Sequence, residues 1–179
     1  VGARIARLDG RRKVDGTDIF GADETPADCL SLIAIRSPHH HAAFAFGDLD
    51  AFVAAHRGVT RVLTAADIPG ENRYGVIPPF ADQPVFAVET ARFRGEAVAA
   101  VVGEPAAIAR LDLADFPVAW TALPALTDME AARAPDAPLV HEDRVGNLLT
   151  EGKVRRGDAD AALADEALVS VEGAFETGF

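Results

Sequence analysis

The sequence predicts an α+β domain. Three observations carry that prediction: apolar runs of strand length recur along the chain, brief capped helical patterns lie between them, and no regular βαβ rhythm organises the two. No internal repeat with a period of about 20 to 50 residues is present, which excludes a solenoid. The patterns amount to about seven strands and four or five short helices.

In chain order, Leu30–Ile35 is apolar with β-branched members and reads as a buried strand, stopped by Ser37-Pro38. Asp48 is placed to cap a helix in which Leu49, Phe52, Val53 and His56 share one face, and Gly58 closes it. Val59–Leu63 is the next strand. Thr64-Ala65-Ala66-Asp67 has capping-box spacing and opens a single turn before Pro69-Gly70. Residues 69–84 hold four prolines and two glycines, the composition of a long ordered loop, and such loops often carry function. Val85–Val88 and Ala97–Val102 read as strands with Gly95 between them. A helix is predicted from Pro105, with Ala107, Ile108, Leu111 and Ala114 along one face. Phe116–Trp120 is a strand whose Pro117 suits a sheet edge. Thr127-Asp128-Met129-Glu130 is a second capping box, residues 134–157 are irregular, Asp158 caps Ala159–Ala164, and Leu168–Phe175 closes as a strand.

Composition bounds the function. Hydrophobic residues make up 49% of the 179, enough for a continuous core. No apolar stretch nears the roughly 18 residues of a membrane span, and no secretion signal opens the chain, so a cytoplasmic protein is expected. The net charge of −11 and scattered basic residues argue against nucleic-acid binding. The groups Arg11-Arg12-Lys13 and Lys153 with Arg155-Arg156 read as solvated turns. Cys29 alone excludes an internal disulfide and reads as a buried thiol. The chain starts on Val1 and stops inside the alternating pattern Glu172–Phe179, so a piece of a longer protein is expected.

No motif here identifies a catalytic centre. Gly-x-Gly-x-x-Gly and P-loop patterns are missing, no serine sits in a Gly-x-Ser-x-Gly elbow, and Cys29 lacks a nearby histidine. Asp67, Glu71, Asp82, Glu89 and Glu96 lie in or near the long loop, as acid–base candidates or as solvated surface. His39-His40-His41 invites a metal reading, because alternate residues of an extended segment share a face. His56 and His141 offer no ligand spacing to complete a site, so the run is expected to line an interface or a strand edge.

Several strings, taken together, resemble one family. Arg7-Leu8-Asp9-Gly10, Lys13-Val14-Asp15-Gly16 and Arg36–Ala42 are similar to the opening of molybdenum hydroxylase large subunits, with His40 where alanine is usual. Gly58–Asn72, with its Thr-Ala-Ala-Asp-Ile-Pro-Gly-Glu-Asn, is the most specific match. Asp82-Gln83-Pro84-Val85, Arg94–Val102, Leu123–Leu126, Leu139-Val140-His141 and Gly146-Asn147 follow in order. Ala119 and Thr121 depart from it, standing where acidic residues are common.

The resemblance to the xanthine dehydrogenase and aldehyde oxidase family implies an α/β-hammerhead domain, a mixed barrel-like sheet with short packed helices. It would span residues 1–157 with an irregular extension, and residues 158–179 would begin the next molybdopterin-binding domain. The implied parent is a molybdenum-dependent oxidoreductase that hydroxylates or oxidises an aldehyde, purine or N-heterocycle with water. Its molybdenum–pterin cofactor sits on downstream domains, and iron–sulfur clusters and flavin sit on partner domains or subunits. No catalytic, cofactor-binding or metal residue is expected within these residues, and the isolated chain is expected to be inactive. Its contribution would be a wall of the substrate funnel formed by Asn72, Tyr74, Val76, Ile77, Pro78 and Phe80, or those residues pack against the following domain. The alternative is a stand-alone, non-catalytic binding module with the same fold.

Overall fold

Two three-stranded antiparallel sheets form where the chain's small and β-branched residues concentrate, in a computed structural model that describes residues 2, 4–21, 23, 25–175 and 177. The chain divides into two units, Val1–Ala131 and Ala132–Phe179. Both sheets and the main core belong to the first.

The first sheet has the order β1 (Ser31–Arg36), β5 (Ala97–Gly103), β3 (Val59–Leu63). Its centre is β5, whose Val98, Ala99, Ala100 and Val101 are fully buried, as a strand flanked on both edges requires. Ile33 faces Val101 on one side and Val62 faces it on the other. The second sheet has the order β4 (Thr90–Ala91), β2 (Ala42–Phe46), β6 (Val118–Ala122). In β2, Ala42 and Phe44 are buried and Ala45 is exposed, the alternation expected of a strand with one face on the core. Aromatic rings continue that face: Phe44 lies 5.5 Å from Trp120, Phe46 lies 6.1 Å from Phe116, and Phe116 lies 5.2 Å from Phe52.

The helices are short and locally specified. Asp48 accepts the Ala51 N–H at 2.8 Å and starts α2 (Leu49–Ala55), which buries Phe52. Past its end the chain turns at Gly58 with φ of 89°, a conformation that costs glycine nothing. The Thr64–Asp67 capping box forms, with the Asp67 carboxylate accepting from Thr64 N and Thr64 Oγ1 accepting from Ala66 N. Pro105 occupies the first position of α3 (Pro105–Ile108). That helix is shorter than its apolar pattern predicts, because Asp112 starts a separate 3-10 turn at Leu113. An additional helix, α1 (Gly10–Asp15), buries no residue. It contains Arg11-Arg12-Lys13, which are exposed as expected but lie on a helix and not in the turn predicted for them.

In α4 (Met129–Ala132) the predicted Thr127 box is replaced by Asp128, whose Oδ1 accepts from Ala131 N. The second unit has no strand among its described residues. Asp158 caps α5 (Ala159–Ala164) as predicted, through Ala161 N at 3.1 Å. Asn147, with φ of 53°, ties the irregular part together: Oδ1 accepts from Val140 N, and Nδ2 donates to Ala132 O and Pro138 O.

Four expectations need correction. Val85–Val88 is not a strand; its backbone is held by a side chain and by single hydrogen bonds, as described below. Leu168–Phe175 is not a strand either: no described neighbour pairs with it, and an extended chain without a ladder keeps its backbone groups in water. Val169 and Val171 are each 93% exposed. Of the terminal alternation, Glu176, Gly178 and Phe179 lie outside the described residues. Cys29 is exposed, because it precedes β1 instead of entering it. Finally, β2 was unforeseen, since its alanines give a weak strand signal behind three histidines. Pro117 does precede an edge strand, β6, as predicted.

Candidate functional site

The prolines and glycines of residues 69–84 build a closed loop on the first unit. Its neck is the side chain of Asn72. Oδ1 accepts from Val85 N at 3.0 Å and Phe86 N at 3.1 Å, while Nδ2 donates to Phe86 O at 2.7 Å. The carboxamide thus meets both backbone groups of Phe86, as a neighbouring strand residue would. A second rung follows, with Tyr74 N donating to Gln83 O at 2.8 Å.

Within the loop, Phe80 N donates to Ile77 O and Ala81 N to Pro78 O, forming a 3-10 turn over Pro78–Phe80. Gly75 lies against that turn. A Cβ there would stand 2.6 Å from the Ala81 backbone, so only glycine lets the two sides approach this closely. The result is a compact Ω-type loop whose ends meet at Asn72.

The six residues expected to form a funnel wall therefore divide. Asn72 is half-buried with its amide turned to the neck. Val76 is fully exposed and Ile77 is 56% exposed; with Pro78 they form the apolar tip. Phe80, the last residue of the 3-10 turn, is half-buried. Tyr74 lines a cleft of about 410 Å³ at the loop's foot, together with Arg36, Gln83, Val85, Phe93 and Glu96.

That cleft is firmly built. Arg36 Nη1 donates to Gly95 O at 2.8 Å, Ser37 N donates to Glu96 O, and Gly95 N donates to Ser37 O. Glu96 is 3% exposed and its Oε2 accepts the Arg92 N–H. That backbone donor meets one oxygen of the buried carboxyl, which would otherwise lack a partner on that side. Sequence reasoning placed Gln83 and Glu96 within matching strings, yet assigned neither a place in a cleft. The signal is non-local: only folding brings residues 36, 74, 83 and 96 together.

The remaining acid–base candidates have structural or surface roles. Asp67 closes its capping box and pairs with Arg61; its carboxyl is held below the ordinary value first by the Thr64 N–H and then by Arg61. Glu71 pairs with Arg73 at 2.7 Å on the surface. Asp82 follows the 3-10 turn of the loop, its N–H donating to Phe80 O at 3.0 Å. Glu89 is exposed, and its carbonyl accepts from Phe44 N. His41 Nδ1 shares a 2.6 Å hydrogen bond with Pro124 O, and His39 meets Trp120 edge-on at 5.9 Å. Among the described residues, no group of three or more His, Cys, Asp or Glu side chains gathers as a metal site. No helix among them is long and apolar enough to cross a membrane.

The fold and the loop together define the class: a two-sheet α+β domain that presents a stapled loop. The relatives give that class its family. Residues 16–124 match the family described as the aldehyde oxidase and xanthine dehydrogenase a/b hammerhead domain, and the chain belongs to it. It is 34% identical over 86% of its length to a probable xanthine dehydrogenase subunit of Bacillus subtilis, of which that match covers 20%. It is 31% identical over 99% of its length to the nicotinate dehydrogenase large molybdopterin subunit of Eubacterium barkeri, covering 40% of it. Among solved structures, the aldehyde oxidoreductase of Desulfovibrio gigas superposes with a TM-score of 0.66 at 29% identity, over 76% of this chain and 16% of that one. A Cu,Mo-CO dehydrogenase gives 0.68 at 31% identity, over 79% and 18%. The chain therefore spans a fifth to two fifths of the two matched relatives' length, and its residues 16–124 correspond to one domain of such enzymes.

Proposed function

We propose that this chain serves a molybdenum-dependent oxidoreductase as the hammerhead domain of its molybdopterin-binding subunit. The enzyme would oxidise or hydroxylate an aldehyde, purine or N-heterocycle in the cytoplasm, and the loop from Asn72 to Phe80 would form a wall of the substrate funnel. In this reading residues 158–179 begin the next molybdopterin-binding domain, and iron–sulfur and flavin partners carry electrons away. The observation that carries the funnel role is the tip itself. Val76 and Ile77 are apolar and exposed on a loop held rigid at its neck, which suits a surface that meets something other than water.

The residues present do not fit the cofactor. Holding a molybdenum–pterin group requires a deep cavity with several convergent donors for its phosphate. Two clefts on the described residues are open to solvent. One of about 620 Å³ is lined by residues such as His56, Arg57, Glu104 and Arg110, and one of about 460 Å³ is lined by Ile35, Phe116 and Trp120. No step of the oxidation is therefore assigned to this chain, which alone would be inactive.

The test is to widen and narrow the tip in the full-length enzyme, with Ile77→Ala and Ile77→Trp. The expected result is opposite shifts in KM, about threefold or more each way, with kcat less affected. Unchanged KM in both would remove the funnel role. Native protein free of molybdenum would favour a stand-alone binding module.

A further inference from the structure

We propose that Asn72 is a positioning residue: its carboxamide fixes the neck of the loop 73–84 and so sets how bulky a substrate passes the tip, without touching substrate itself. This rests on the funnel reading above and assigns Asn72 a different part in it from Val76 and Ile77.

The geometry separates the two roles. All three hydrogen bonds of the Asn72 amide run toward Val85 and Phe86, so its polar atoms are committed to the neck. Phe86 and Ala87 are buried, which gives the staple a fixed anchor on the sheet side. Beyond the neck, the Tyr74–Gln83 rung and the contact of Gly75 with Ala81 make the loop one thickness of packed backbone. Such a body transmits a tilt at its base to its tip. Val85 is both pinned by Asn72 and part of the cleft wall beside Tyr74, so the same staple holds that wall.

The residue type is dictated by chemistry. Phe86 presents an N–H and a C=O side by side, and a carboxamide answers both at once with a donor and an acceptor fixed in one plane. An aspartate offers acceptors alone, and would set a carboxylate against Phe86 O. A glutamine keeps both groups on a stem one methylene longer.

The experiment uses the full-length enzyme with Asn72→Asp, Asn72→Gln and, as a tip control, Val76→Trp. Amide exchange is followed at residues 73–86, with β5 amides reporting that the domain is folded. Relative kcat/KM is measured for a compact and a bulky probe, acetaldehyde against benzaldehyde and nicotinate against xanthine. Asn72→Asp is expected to raise exchange at Val85 and Phe86 about tenfold or more, and to change the bulky-to-compact ratio about fivefold, mainly through KM. Asn72→Gln should recover part of both. Should Asn72→Asp fail to fold, Asn72→Ser, which keeps one hydroxyl at the neck, takes its place. Unchanged exchange at Val85 and Phe86 would overturn the inference. So would faster exchange with an unchanged ratio while Val76→Trp alters that ratio, and the funnel reading would then survive. No response of the ratio to Val76→Trp would sink the funnel reading, and the positioning role with it.

Discussion

Strand β5 and the segment just before it, Val85–Ala91, both contribute buried apolar residues to the core, yet they are held in different ways. The backbone of β5 lies between two neighbouring strands, and its ladders run along its length. The earlier segment is laddered to β2 only at Thr90 and Ala91. Elsewhere single contacts serve it: Asn72 on Val85 and Phe86, Ala97 O for Ala87 N, and the Glu89 carbonyl for Phe44 N. A ladder is redundant, so no single side chain is needed to keep the backbone paired. A stapled segment depends on one residue for several hydrogen bonds at once. The second unit repeats the stapled arrangement with Asn147.

The largest test is at the centre of β5. Val101 is fully buried, and Val101→Asp places an unpaired charge in the core, at a cost of about 4 kcal/mol or more. Urea denaturation of the chain should show the first unit largely unfolded; a loss under about 1 kcal/mol would mean that β5 is not the structural centre. Next, Asn72→Ala should cost about 2 kcal/mol, since it leaves the part-buried N–H and C=O of Phe86 without their partner. Hydrogen exchange should rise at the Val85 and Phe86 amides and remain slow in β5, and a uniform rise would erase the distinction between ladder and staple. Asn147→Ala, in a more exposed setting and at a positive φ that asparagine tolerates well, should cost about 1 kcal/mol, read as faster exchange at Val140.

The smallest effect is one of pH. The Asp67 carboxyl lies below its ordinary value of 3.8 because the Thr64 N–H, and after it Arg61, favours the charged form. A depressed carboxyl contributes stability that is complete above the unfolded value and lost as pH falls through the folded one. Denaturation midpoints should therefore fall below pH about 3.8, and Asp67→Asn should flatten that part of the profile. An identical acid limb in the variant would assign the acid sensitivity to other groups, among them Asp9, which Arg7 and then Lys13 hold low in the same way.

The family resemblance read from the strings around Gly58–Asn72 and Arg94–Val102 agrees with the family match over residues 16–124. The sequence by itself determined the elements whose signals are local. Asp48, Thr64 with Asp67, and Asp158 each cap a turn three or so residues away, and the runs at 31–36, 59–63 and 97–103, with their valines and isoleucines, are strands by composition. Tertiary structure alone decided which extended stretches became strands. Val85–Val88 and Leu168–Phe175 have strand-like composition without a ladder, whereas Ala42–Phe46 has a weak signal and a full partner in β6. Only the fold, likewise, revealed that Asn72 faces the neck while Val76 and Ile77 face outward. The physical reason is the same throughout: a cap is satisfied by its own neighbours, whereas a strand or a staple is satisfied by backbone that the chain brings back from far along its length.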